Sequence, residues 1–229
     1  MKRSHPVFLA QQQQPQEEAK KKKRYALNKT ETSWVDCFPL SAELRPTAQQ
    51  FDALWNLHPE AKGEVKIFGK MVATPRWQQS YGLPYTFSGV MHAALPVPDA
   101  VQPFLDWANA QTEYLAPYGG QRFNMALLNW YQDGNHYIGY HSDDERQLVQ
   151  SPTGDSVVFS VSLGQKRTLS LRPIEKGETL QVKMANCSVL VMGGRCQKTH
   201  KHAVPKVAGA KGQKLGRRIN LTFRIFVTP

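Results

Sequence analysis

The sequence predicts a mainly β protein with supporting helices (α+β), most simply a double-sheet jelly roll, and three observations lead there. First, the pattern turns to strands from Phe123 onward: residues 123–131 are mixed apolar and polar, and 157–163, 168–172, 181–184, 188–192 and 219–227 are short, β-branched or alternating segments broken by Gly, Pro and Asn. Second, two helical patterns precede them. Third, Arg218-Ile219-Asn220-Leu221-Thr222-Phe223-Arg224 alternates strictly between polar and apolar, which gives one strand a charged face and a greasy face.

The N-terminal elements follow from local chemistry. Gln11–Gln14 before Pro15 and the Lys20–Arg24 basic run are polar and of low complexity. Residues 1–33 are therefore expected to be a disordered basic, Gln-rich tail, and residues 34–229 one folded domain. The basic run is either a nuclear import signal or a solubilising, nucleic-acid-binding arm. Between Pro46 and Leu57, Phe51, Leu54 and Trp55 have helical spacing, with Thr47 as a cap. Residues 65–68 and 70–72 flank Gly69 as a bent or hairpin-like element. Val101, Phe104, Leu105 and Trp107 give a second amphipathic helix within 98–114.

Composition narrows the setting. The chain has 229 residues and 41% hydrophobic content, enough for one buried domain, and lacks an apolar run of membrane-spanning length. The N-terminus lacks the apolar core of a secretory signal, so an intracellular setting is expected. Cys37, Cys187 and Cys196 have neither CxxC spacing nor an even count, and are expected to be reduced structural thiols. The net charge of +11 is concentrated in residues 1–33 and 195–218, which suggests a polyanionic partner.

The chemistry-bearing residues follow. His141 and Asp143 are two apart, so on an extended segment both can reach one ion. His202, from another strand, completes two imidazoles and one carboxylate, a set that suits non-haem iron(II) and leaves coordination positions vacant. Arg218, Asn220, Thr222 and Arg224 share one strand face. A buried guanidinium needs an anionic partner, and a dicarboxylate co-substrate supplies one. Asn129 and Tyr131 place an amide and a phenol on one face of another strand.

Leu128-Asn129-Trp130-Tyr131-Gln132-Asp133-Gly134, Ile138–Glu145 and Arg218–Arg224 resemble the AlkB family of iron(II)/2-oxoglutarate dioxygenases. Ile67-Phe68-Gly69-Lys70, Pro75-Arg76 and Tyr85-Thr86-Phe87-Ser88-Gly89 resemble its eukaryotic branch that repairs alkylated double-stranded DNA. The resemblance covers most of residues 60–226. It implies a double-stranded β-helix core with a nucleotide-recognition lid. The cofactor would be Fe(II), with 2-oxoglutarate and O2 as co-substrates.

The resemblance implies roles residue by residue. His141, Asp143 and His202 would bind the metal. Asn129, Tyr131, Arg218, Asn220, Thr222 and Arg224 would hold 2-oxoglutarate, with Arg218 on its distal carboxylate. Tyr85, Phe87, Ser88, Arg76, Asp144 and Glu145 would form the base pocket, Asp144 pairing with Arg76 and Glu145 meeting the damaged base's polar edge. Phe87 is open to a plain core role, and the acidic pair to a solvated turn. Phe68, with Gly69 and Lys70, would contact DNA, the Phe as a wedge filling the place of the flipped base; a core strand residue is the other reading. Lys206, Lys211, Lys214 and Arg217 would meet phosphates.

Two departures from the family pattern stand out. Thr199-His200-Lys201-His202 is one residue shorter than the usual spacing, which makes His200 a rival ligand; the following Ala203-Val204-Pro205 favours His202. Residues 206–217 are longer and richer in Gly and Ala. The implied activity is oxidative dealkylation of bases such as 1-methyladenine and 3-methylcytosine in DNA, duplex favoured over single strand; a monomer is expected, in the nucleus if the source is eukaryotic or viral and otherwise intracellular and soluble. The alternatives are an RNA dealkylase and a non-catalytic nucleic-acid-binding module. Arg24-Tyr25-Ala26-Leu27-Asn28 weakly resembles a sliding-clamp-binding motif without its closing basic residue.

Overall fold

The structure, a computed structural model, describes residues 22–87 and 89–228, with Ile67 and Phe87 described by backbone alone. The Gln11–Pro15 stretch, Lys20, Lys21 and the Ser88 position lie outside the described residues.

The chain opens with β1 (Lys23–Ala26) and β2 (Ser33–Pro39), then α1 (Ala48–Trp55), β3 (Glu64–Ile67), β4 (Lys70–Ala73), β5 (Trp77–Tyr81), β6 (Tyr85–Phe87), β7 (Val90–His92) and β8 (Ala94–Leu95). Helices α2 (Gln102–Ala110) and α3 (Thr112–Leu115) lead into β9 (Met125–Tyr131), β10 (Ile138–His141), β11 (Val158–Gly164), β12 (Arg167–Pro173), β13 (Leu180–Met184) and β14 (Ser188–Gly194). Helix α4 (Cys196–Thr199), β15 (His200–Val204), α5 (Gly209–Gln213) and β16 (Arg218–Arg224) complete it.

Two sheets form the predicted jelly roll. The larger has the order β1-β2-β14-β11-β16-β9-β5-β8 and the smaller β10-β15-β12-β13. The hairpins β3–β4 and β6–β7 stand apart as two-stranded sheets. Strand β16 shows how the sequence sets the layers. Ile219, Leu221 and Phe223 join one core with Leu54, Trp55, Val101, Phe104 and Tyr114 from the helices. A second core, including Leu169, Leu171, Val182, Met184, Leu190 and Met192, fills the space between the sheets. Arg218, Asn220, Thr222 and Arg224 are buried too, which the alternation anticipates.

Helix α1 begins where expected. The Gln50 amide donates to Thr47 Oγ1 at 3.3 Å and the Thr47 amide to Gln50 Oε1 at 2.9 Å, a reciprocal capping box. The Trp130 indole donates to the Leu54 carbonyl at 3.0 Å, tying the helix to β9.

The tail boundary needs correction: β1 lies inside the segment expected to be disordered. Asp36 explains why it folds. Its carboxylate is buried and accepts two hydrogen bonds of 2.7 Å from Arg24, and the Tyr114 hydroxyl donates to it at 3.0 Å. The Arg24 guanidinium also stacks over Trp34 at 4.1 Å. A buried carboxylate fixes its partner arginine, and a composition-based reading of a basic run does not register a partner twelve residues away. The same contacts place Arg24 and Tyr25, of the clamp-like segment, in an edge strand paired to β2. Cys37 and Cys196 are thiols whose burial pushes both up to about 12. No helix among the described residues is long and apolar enough to cross a membrane.

Candidate metal and co-substrate site

The three sequence-predicted ligands converge. His141 and His202 face each other directly across the β10–β15 pair, with ring centroids 4.2 Å apart. Asp143, just past the end of β10, lies 3.8 Å from His141 Nε2 and 3.9 Å from His202 Nε2. One candidate ligand atom from each residue lies within 4.8 Å of the others. The His141 Nδ1 meets the Gly139 carbonyl at 2.9 Å. A carbonyl only accepts, so the proton sits on Nδ1 and the lone pair on Nε2. His200 is buried elsewhere, its Nδ1 2.8 Å from Thr199 Oγ1. It is not part of the cluster.

Electrostatics keep the cluster ready for a cation. Burial drives the His141 imidazole down to about 3, with His202 adding to the effect, and burial also lowers His202. Burial opposes ionisation of Asp143, yet Arg224 and the two histidines hold its carboxyl at about 2. Two neutral imidazoles and a carboxylate are the forms a metal takes. Arg224 Nη2 lies 2.7 Å from Asp143 Oδ1.

Behind the triad runs the charged face of β16. Arg218 is 1% exposed, and its Nη2 donates to Asn220 Oδ1 at 2.6 Å and Ser162 Oγ at 2.9 Å. Its Nε and Nη1 are buried with no hydrogen-bond partner, as is Arg224 Nε. Burial brings Arg218 down to about 10, which leaves it charged at neutral pH. Two buried guanidinium donors that face one cavity call for a carboxylate, and the apolar walls Leu169, Met184, Leu190 and Met192 suit a short carbon chain. The residues present therefore fit iron(II) and a dicarboxylic keto acid.

The structure redistributes some expected roles. Asn220 does not have polar atoms to spare: Oδ1 accepts from Arg218, and Nδ2 donates to Ser160 Oγ at 3.0 Å and Thr222 Oγ1 at 2.8 Å. It orients Arg218. Asn129 Oδ1 accepts from Arg76 Nε at 2.6 Å, which leaves its amide NH2 to face the cavity that it lines with Tyr131. The expected Arg76–Asp144 pair is not formed. Arg76 is buried against Asn129 and Gln78, whereas Asp144 is exposed. The reason is local: Arg76 lies just before β5, whose ladder partner β9 carries Asn129.

On its other side the triad opens to a cleft of about 1020 Å³, lined by His141, Ser142, Asp144, Glu145, Thr86, Tyr140 and Lys201 among others. Glu145 is buried 3.8 Å from Arg224 Nη1 and has one oxygen without a partner. Burial raises its carboxyl above the ordinary range. Tyr85 is 2% exposed, and burial raises its phenol to about 12. Phe68 stands fully exposed at the turn between β3 and β4.

The basic loop is anchored by its glycines. Lys206, Lys211 and Lys214 are exposed, but the α5 loop packs on residue 134 through the Gly134 and Gly212 backbones. A Cβ on Gly134 would come within 2.6 Å of Gly212 Cα, so this contact requires glycine. The loop joins β16 at its Arg218 end, and Arg224 beside the metal site is six residues on, about 20 Å along an extended strand. Arg217 pairs with Asp52 at 2.6 Å and lies over Phe51 and Trp55, so it braces α1. The basic residues at the cleft itself are Arg146 and Lys201. Sequence reading also missed Gln197, whose Oε1 accepts from the Asp143 amide at 2.9 Å, and Ser160 and Ser162 beneath Asn220. The serines carried a signal, since they alternate with Phe159, Val161 and Leu163. Gln197 carried none.

Jelly roll, His-Asp-His cluster and buried arginine pair define the site of an iron(II)/2-oxoglutarate oxygenase. The family profile described as 2OG-Fe(II) oxygenase superfamily matches residues 42–224. The DNA oxidative demethylase ALKBH2 of Bos taurus is 33% identical over 175 residues, 72% of this chain and 58% of its own. The Homo sapiens protein of that name is also 33% identical, over 72% of this chain and 61% of its own. The alpha-ketoglutarate-dependent dioxygenase alkB homolog 3 of Rattus norvegicus is 34% identical over 66% of this chain and 50% of its own. The chain thus spans about three fifths of the length of the bovine and human relatives it matches. The solved structure of OsALKBH1 superposes with a TM-score of 0.55 at 16% identity, covering 83% of this chain and 96% of that one, and shares the fold. This chain belongs to the 2OG-Fe(II) oxygenase superfamily, within its AlkB family. Its cofactor set is iron(II) with 2-oxoglutarate and O2.

Proposed function

We propose that this chain oxidatively dealkylates nucleobases in DNA, with duplex preferred, on lesions of the 1-methyladenine and 3-methylcytosine type. Relatives named as DNA oxidative demethylases support the substrate class. Phe68 carries the duplex preference. It sits in a two-residue hairpin turn with φ of 47°, followed by Gly69 at 81°. Positive φ at both positions is what such a turn needs, and a bulky side chain there costs about 1–3 kcal/mol. A strained, fully exposed phenylalanine gains nothing within the monomer. Inserted into a base stack, it would offset part of the cost of flipping a nucleotide.

When bound, the iron with 2-oxoglutarate and O2 supplies the oxidising equivalent that hydroxylates the N-linked alkyl carbon. The chain's own residues bind and orient. Arg218 would hold the distal carboxylate through Nε and Nη1, with the Tyr131 hydroxyl and Asn129 NH2 as further donors. Arg224 keeps Asp143 ionised and would meet the other carboxylate end. Tyr85 and Glu145 would hold the flipped base over the cleft, Glu145 meeting its polar edge. The hydroxylated adduct then loses its C–N bond, the base keeps the electron pair, and an aldehyde leaves; succinate and carbon dioxide are the other products.

The test is anaerobic reconstitution with iron(II), followed by aerobic turnover on matched methylated duplex and single-stranded oligonucleotides. Methyl loss matched by succinate, faster on duplex, supports the reading. Turnover confined to methylated RNA, or none at all, overturns it.

A further inference from the structure

Among the described residues, seven buried side-chain nitrogen or oxygen atoms have no hydrogen-bond partner. Four belong to Glu145, Arg218 and Arg224, where co-substrate and base would meet them, and a fifth is His202 Nδ1, on the ring edge away from the Nε2 that faces Asp143. The other two are Gln78 Nε2 and His92 Nε2, and both residues line one cavity with Tyr85. His92 is paired with Tyr85 across β6–β7, and the two rings stack at 4.8 Å and 21°.

Resting on the function proposed above, we propose that His92 is a positioning residue of the base pocket: its stacked ring fixes Tyr85 and so sets affinity for the alkylated base without touching base or metal. The β6–β7 pair is a two-stranded sheet of three residues a side, separate from both large sheets, so its ladder restrains Tyr85 weakly. The Tyr85 hydroxyl makes no hydrogen bond among the described residues. Packing alone therefore orients the ring: it shares a buried cluster with Met125, Leu127, Leu148 and Phe226, and the His92 stack is the contact that its own hairpin supplies. His92 Nε2 has no partner either, so the imidazole acts through its face. Burial, with Arg76 adding to it, keeps the ring neutral, which spares Arg76 a like charge.

The function predicts that an aromatic ring at 92 suffices and that an aliphatic one does not. His92→Ala should raise KM for a methylated oligonucleotide about five- to tenfold, the scale of one lost aromatic pair. Its kcat and its substrate-free succinate formation should stay within twofold, and the Tyr85 ring resonances should shift in tyrosine-labelled protein. His92→Phe should restore KM to within twofold. An unchanged KM in His92→Ala, or His92→Phe as impaired as His92→Ala, would overturn the proposal. The resonance arm needs no substrate, so unshifted Tyr85 signals in His92→Ala overturn it even where wild-type protein turns no oligonucleotide over; absent wild-type turnover itself counts against the function.

Discussion

The interior between the sheets and the β3–β4 hairpin are built on opposite rules. Inside, polar groups are buried and either paired or aimed at a shared cavity: Asn220 is saturated, Arg218 holds two donors in reserve, and Asp143 is pinned by Gln197 and Arg224. On the hairpin, Phe68, Met71 and Val72 are apolar and exposed, and Phe68 accepts a backbone conformation that disfavours it. The interior is preorganised for small charged groups, and on the function proposed above the hairpin offers its exposed apolar surface to DNA. Mutations in the two regions should therefore have opposite signatures: loss of all turnover from one, loss of substrate selectivity from the other.

The largest effect is expected at the triad. Asp143→Ala should abolish succinate formation and iron retention. It should also destabilise the apo protein by about 1–3 kcal/mol, because buried Arg224 loses its hydrogen-bonded carboxylate and keeps only Glu145, at 3.8 Å; iron analysis and chemical denaturation check both. Arg218→Met comes next. It should raise KM for 2-oxoglutarate about a hundredfold, on the scale of one partner lost from a buried charged pair, and leave KM for DNA within a fewfold.

Phe68→Gly should separate the two regions most clearly. Relief of positive-φ strain, offset by the greater unfolded-state entropy of glycine, should raise stability by about 0.5–2 kcal/mol, while turnover falls about tenfold on duplex and less than twofold on single strands. Equal losses on both substrates would remove the wedge.

The smallest expected effect on activity lies far from both regions, at Asp36. Burial opposes its ionisation, but hydrogen bonds from Arg24 and Tyr114 hold its carboxyl below the ordinary value. A depressed carboxyl stabilises the fold above its unfolded value, and that stabilisation is lost as pH falls through its folded value. Wild-type stability should decline below about pH 4 partly for this reason. Asp36→Asn should flatten that decline and cost about 2–3 kcal/mol at neutral pH, with activity per folded molecule unchanged.

The sequence made the interior legible because it is periodic. The alternation over Arg218–Arg224 announced both faces of β16, and His-x-Asp announced its own geometry. The pairing of His141 with His202 across β10–β15 needed the register, which one strand does not carry. Long-range partners were the recurring blind spot. Arg24 found Asp36, Arg217 found Asp52, and Arg76 found Asn129 instead of Asp144. In each case a charged side chain that looked committed to solvent, nucleic acid or a neighbouring carboxylate was bound by a residue from another element. The hairpin was legible as a hairpin, but the strain at Phe68 is a backbone property with no compositional trace.

The central claim is that His141, Asp143 and His202 gather round one ferrous ion. Equilibrium dialysis of the anaerobic protein against iron(II) tests it directly. One tightly held iron per chain is expected, lost in His202→Ala and kept in His200→Ala. Iron kept by His202→Ala, or lost from His200→Ala while that variant stays folded, would contradict it.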